Sequence, residues 1–167
     1  MTRTAGYSVT KISNDEWLKR IEHLLEKGGN TVEEVFIESF EELGELIEAY
    51  QAGNEDEVLD ETVDVMICTG ALALKLYPES ATDLSKEFYK ARDIENNSTN
   101  VDNLLNCSKY LGLISKDFCD EDEDFQKFKL LFSSAFSIFI HMSNESHHLE
   151  GMIDNKISKW EKNIGLK

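Results

Sequence analysis

Residues 31–76, TVEEVFIESFEELGELIEAYQAGNEDEVLDETVDVMICTGALALKL, contain the signals of two helices on either side of one glycine turn. Thr31 stands three residues before Glu34, and Asn54 three before Glu57, the spacing of a capping side chain and the acid that answers it. Between them Val32, Val35, Phe36, Phe40, Leu43, Ile47 and Tyr50 step by three and four, which predicts one apolar helix face ending at Gly53. The second helix opens with Glu55, Asp56, Glu57, Asp60, Glu61 and Asp64, then runs from Val65 to Leu74 without a charge on any face. Such a run belongs at the buried centre of a bundle.

Working outward, a second uncharged run spans Leu130–Met142 and again follows an acidic segment, Asp120–Asp124. At an offset of 68 residues Leu43-Gly44 falls on Leu111-Gly112, Tyr50 on Phe118 and Glu55-Asp56 on Glu123-Asp124, the pattern of a duplicated hairpin. The chain therefore reads as one all-α helical bundle over 1–167, with residues 13–95 as a catalytic half and 99–167 as a degenerate second half. The polar stretch Asn96–Asn100 is the linker between them. Ser13 with Glu16 and Thr99 with Asp102 mark two further helix starts. A first helix near Asp15–Glu26 presents Trp17, Leu18, Ile21, Leu24 and Leu25; a last one, Leu149–Ile164, presents Met152, Ile153, Ile157, Trp160 and Ile164, with its lysines on other faces.

Composition agrees with this class. The 167 residues suffice for one domain with its own core, and one proline with nine glycines is too little punctuation for an all-β fold. With 33 Asp+Glu against 17 Lys+Arg, the net charge of -16 repels nucleic acid and anionic membranes. Cys68, Cys107 and Cys119 form no C-x-x-C pair, so neither a disulfide framework nor a zinc site is expected. Residues Met1–Ser13 lack an apolar signal region and no stretch has membrane-span length, so a cytoplasmic protein is expected.

The acids of the first hairpin carry the chemistry. Glu42 and Glu45 are three apart on one helix, Glu61 and Asp64 three apart on the next. With the turn at Gly53-Asn54, Glu45 and Glu61 lie roughly 12 and 10 Å from it and Glu42 and Asp64 roughly 16 and 15 Å, so all four meet at one level. Four carboxylates beside an apolar helix need a counter-charge, and an all-oxygen set suits Mg²⁺ or Mn²⁺. A solvated acidic face is the competing explanation. Against it, Asp64 opens onto the uncharged run, where an unpaired acid is expensive, and the second half carries Tyr110, Leu113, Lys129 and Phe132 at the matching places.

Glu41-Glu42-Leu43-Gly44-Glu45, followed after fifteen residues by Glu61-Thr62-Val63-Asp64, resembles the E-E-x-x-E and E-x-x-D motif pair of the MazG-like all-α nucleoside triphosphate pyrophosphohydrolases, relatives of the dimeric dUTPases and dCTP pyrophosphatases. The match covers about Thr31 to Leu76. The resemblance implies hydrolysis of a nucleoside triphosphate to monophosphate and pyrophosphate, with Mg²⁺ held by Glu42, Glu45, Glu61 and Asp64. Glu41 would stand behind these ligands, Glu38 would be a further substrate contact, and Glu45 is the preferred general base. Relatives also place a lysine and an asparagine four apart against phosphate. Lys159 and Asn163 have that spacing, as do Arg92 and Asn96, although Ile164–Lys167 does not match the arginine and tyrosine that follow in the family. Lys159 and Lys162 would also offset a helix dipole without any ligand. A functional acid set beside a degenerate hairpin resembles the dimeric dUTPase arrangement, and uncharged helix surfaces leave room for a homodimer.

Two rivals stand beside this reading. A non-catalytic acidic helical adaptor would use the carboxylates for solubility alone. A di-iron carboxylate bundle needs two E-x-x-H motifs, and Glu145 with His148 supplies one. Cys68 and Cys107 read as small apolar packing residues, and Trp17, Phe36 and Trp160 as core rather than base-stacking side chains.

Overall fold

Each cap read from the sequence within 16–166 closes a helix as its chemistry requires. The computed structural model describes residues 16–77, 81–94, 97–120, 124–143 and 149–166. These form α1 (Glu16–Gly28), α2 (Val32–Ala52), α3 (Glu55–Leu76), α4 (Ala81–Ala91), α5 (Asn100–Asp120), α6 (Phe125–Ser143) and α7 (Leu149–Asn163). Thr31 and Glu34 exchange both bonds of a capping box, while Asn54 receives the Glu57 amide and donates to its carboxylate at 2.8 Å. Thr99 and Asp102 bond reciprocally at the start of α5. Gly53 ends α2 in the left-handed region, φ 70°, so the turn between α2 and α3 takes only two residues. Ser13 lies outside the described residues.

Helices α2 and α3 form one antiparallel hairpin and α5 and α6 another, and the two pack through α3 against α6 and α2 against α5. The pair at the centre is the pair with the uncharged runs. Val65, Met66, Ile67, Ala71, Leu72 and Ala73 of α3 are buried, as are Leu131, Phe132, Ala135, Ile138 and Phe139 of α6. Helices α2 and α5 share the 68-residue offset at both ends. The short α1 packs on α3, α4 and α7, and α7 also on α3. No described helix is long and apolar enough to cross a membrane.

Three details differ from expectation. Helix α4 follows Pro78 within the first half, where no helix was marked; its buried face is Ala81, Leu84, Ser85, Phe88 and Ala91, with Leu84 and Phe88 as its two large apolar residues. Phe40 is 46% exposed, because Ser39 takes the core place on α2 by bonding the Val35 carbonyl at 2.6 Å, and Leu46 and Ala49 complete the buried face. At the level of the acids, the second hairpin is aromatic: Phe132 stacks on Trp17, with ring centroids 6.2 Å apart, and packs on Phe88, while Lys129 bonds Glu87 of α4.

Candidate metal centre

The site is set by the short α2–α3 turn. Because Gly53 and Asn54 hold the two helices in register, carboxylates three residues apart on each helix reach across at the same height. One oxygen from each of Glu42, Glu45 and Glu61 lies within 4.8 Å of the others, and so do oxygens of Asp60, Glu61 and Asp64. The expected four-acid set is thus two overlapping trios that share Glu61. Asp64 belongs to the second, together with Asp60, a residue the sequence reading left out of the ligand set.

Electrostatics at this point are unfavourable for the acids alone. Burial, followed by repulsion from Asp64, Glu45 and Glu61, pushes the Glu42 carboxyl up to about 7. Burial and Asp64 raise Glu61, and burial raises Asp64 in spite of its bond to Lys156. The Oε2 atom of Glu61 is buried and has no hydrogen-bond partner among the described residues. A buried carboxylate oxygen without a donor carries a desolvation cost that a cation relieves. The donor set is all carboxylate oxygen, which fits a hard divalent ion such as Mg²⁺ or Mn²⁺.

Beside the acids lies an open pocket of about 270 Å³ between α2, α3 and α7. Its acidic wall is Glu38, Glu42 and Asp64; its apolar floor includes Ile67, Ala71 and Ile157; Lys156, Lys159, Trp160 and Asn163 of α7 face it from the other side. Lys159, Asn163 and Glu38, the expected substrate contacts, all line this one pocket. Burial and the neighbouring Glu34 and Glu41 raise the Glu38 carboxyl. Glu41 itself is exposed and does not line the pocket. Cys68 also lines it, and burial first, then nearby acids, push its thiol well above the usual range.

Lys156, which the sequence did not single out, joins Lys159 on the pocket face of α7. Its ammonium donates to Asp60 at 2.6 Å and to Asp64, joining α7 to α3 at the acids. Although burial pulls its pKa down, the bonds to the two aspartates hold it above its usual value. A signal for it was present: Lys156, Lys159 and Asn163 recur at three and four, a polar stripe beside the apolar one. Trp160 is half-buried, packing on the core with one side and on the pocket with the other. Trp17 and Phe36 are core. Arg92 packs over Tyr89 and Phe136, and its candidate partner Asn96 lies outside the described residues, as do Glu145 and His148.

No known family, curated protein or solved structure matches this chain.

Proposed function

We propose that this protein is a Mg²⁺-dependent nucleoside triphosphate pyrophosphohydrolase, releasing a nucleoside monophosphate and pyrophosphate and serving to clear a surplus or non-standard nucleotide. The observation that carries this reading is the buried, unpartnered oxygen of Glu61, the acid shared by both trios, whose neighbours Glu42 and Asp64 line a pocket with lysines on its far wall. The motif resemblance to the MazG-like enzymes supports the same reaction.

Glu42, Glu45 and Glu61, with Asp64, would hold the ion. Bound there, it would screen the triphosphate charge and lower the pKa of a coordinated water. The chain's own residues supply the rest. Lys159 and Asn163 face the acids across the pocket and would bind phosphate oxygens from the side opposite the carboxylates. Glu45 is the exposed member of its trio, within reach of solvent water, and would be the general base. Ile67, Ala71 and Ile157 give the pocket an apolar floor that excludes water from the ligand's uncharged part.

The test is product chromatography after incubation with each of dUTP, dCTP, dATP, dGTP, dTTP and the ribonucleotides, with and without Mg²⁺, alongside Glu42→Gln. Metal-dependent monophosphate and pyrophosphate, abolished by the substitution, is the expected outcome. Absence of turnover with every nucleotide, together with no thermal shift on adding metal, would replace the enzyme with an acidic helical adaptor.

A further inference from the structure

The two overlapping acid trios differ in one respect. Among the described residues no cationic side chain is bonded to Glu42, Glu45 or Glu61, whereas Asp60 and Asp64 share the ammonium of Lys156. We infer that Lys156 is the resident cation of the metal-free site, held between Asp60 and Asp64 until a divalent ion displaces it from Asp64 into the adjoining pocket. This rests on the divalent-cation reading of the acids.

Asp60 and Asp64 are one turn apart on α3 and project toward the same side, so without a cation they repel each other and Glu61. Lys156 comes from a different helix and meets both, a contact between residues 92 positions apart in the case of Asp64. One ammonium cannot balance the five carboxylates of the two trios. A divalent ion seated on Glu61 draws on Asp64 as well, because their oxygens lie within 4.8 Å. Asp60 belongs to the same trio, but its side chain is 52% exposed against 21% for Asp64, so the buried aspartate serves the ion and the solvated one keeps its bond to the lysine. Lysine suits such an exchange: it is a point charge on a flexible four-carbon stem, with no planar geometry to preserve. Its side chain is 21% exposed and already lines the pocket with Lys159 and Asn163, so the freed ammonium stays inside the cavity. Ion entry thereby turns a closed Lys156–Asp64 bridge into an additional positive charge facing the pocket.

The exchange is tested on the intact chain with Mn²⁺ or Mg²⁺ alone and no nucleotide. Mn²⁺ affinity is measured by calorimetry for the wild type, Lys156→Met and Lys156→Arg. Removing the competing charge should tighten Mn²⁺ binding roughly fivefold or more in the methionine variant, while arginine, which keeps the charge, should bind no tighter than wild type. In the wild type the side-chain εCH₂ resonance of Lys156, assigned by its loss in Lys156→Arg, should shift as Mg²⁺ is added and saturate with the binding heat. That measurement decides the matter even if Lys156→Met does not fold. Unchanged or weaker Mn²⁺ affinity in a folded Lys156→Met, or a Lys156 resonance indifferent to bound Mg²⁺, overturns the exchange and leaves the metal site standing. Failure of both wild type and Lys156→Met to bind Mn²⁺ overturns the exchange and the metal reading together.

Discussion

Glu42 is the residue at which burial and charge compete most directly. Its carboxyl is held at about 7, above the usual carboxylate value, by burial and then by its acidic neighbours. The native protein therefore binds a proton at Glu42 that the unfolded chain has already lost between roughly pH 4.5 and 7, and stability must fall as pH rises through that window. Above pH 7 the ionised Glu42 destabilises the metal-free fold in full; below the unfolded pKa the effect vanishes. Glu61 and Asp64 are raised in the same direction and add to the trend. Thermal melts of metal-free protein should thus show a higher melting temperature at pH 5.5 than at pH 8. Glu42→Gln removes the charge while keeping most of the shape, so it should raise the melting temperature at pH 8 by about 2–4 °C and flatten the profile. A variant less stable than wild type at pH 8 would mean that Glu42 is held by bonds rather than crowded by charge.

At the scale of elements, the pocket depends on how α7 is moored. Arg20 of α1 bonds both carboxylate oxygens of Glu161 at 2.8 and 2.9 Å, Ser158 at 2.9 Å, and Asp154, three partners on one face of α7. Glu161 is only 8% exposed. Arg20→Leu leaves that carboxylate buried without its guanidinium, a loss of about 3–5 kcal/mol read by denaturant melts. If the proposed function holds, it should also weaken metal-dependent nucleotide binding, since Lys156, Lys159 and Asn163 ride on the same helix. A close approach between helices gives a second expectation. A Cβ on Gly70 of α3 would sit 2.8 Å from Leu18 and 2.9 Å from Trp17 of α1, both buried. Gly70→Ala gains helix propensity but must move packed side chains, and a net loss of about 1–2 kcal/mol is expected in the same melts. Neither feature was legible in the sequence. Arg20 and Glu161 are 141 residues apart, and nothing in the local pattern of either announces the other. What was legible was local: the caps at Thr31, Asn54 and Thr99, the Gly53 turn, the uncharged runs, and the i,i+3 acids that the turn brings level. The bond from Lys156 to Asp60 and Asp64 joins α7 to α3 and is not written in either local pattern, although the polar stripe that carries Lys156 is; Ser39 displaced Phe40 from the core through a bond that periodicity does not register.

For the molecule as a whole, a charge of -16 raises two separable electrostatic questions. A surface this acidic repels itself, and any salt relieves the repulsion by screening; at 0.1 M the screening length is about 10 Å. A convergent site behaves differently, because an ion bound only by the folded state stabilises it by mass action and the effect follows the site's affinity rather than ionic strength. Metal-free protein should therefore gain stability gradually with NaCl. MgCl₂ at matched ionic strength should add a larger increment, about 2.7 kcal/mol when the free ion is 100-fold above its dissociation constant. For a chain of this size that amounts to roughly 5–10 °C in melting temperature. Glu42→Gln should lose the Mg²⁺ increment and keep the NaCl response, since one charge fewer hardly alters the surface field. Calorimetric melts in the two salts separate the cases. If MgCl₂ and NaCl trace one curve against ionic strength, in wild type and variant alike, the acids around Glu61 act only as part of a charged surface. If only the wild type departs from that curve, the hairpin binds the ion at a defined place, and the α7 cations across the pocket are left to bind an anion beside it.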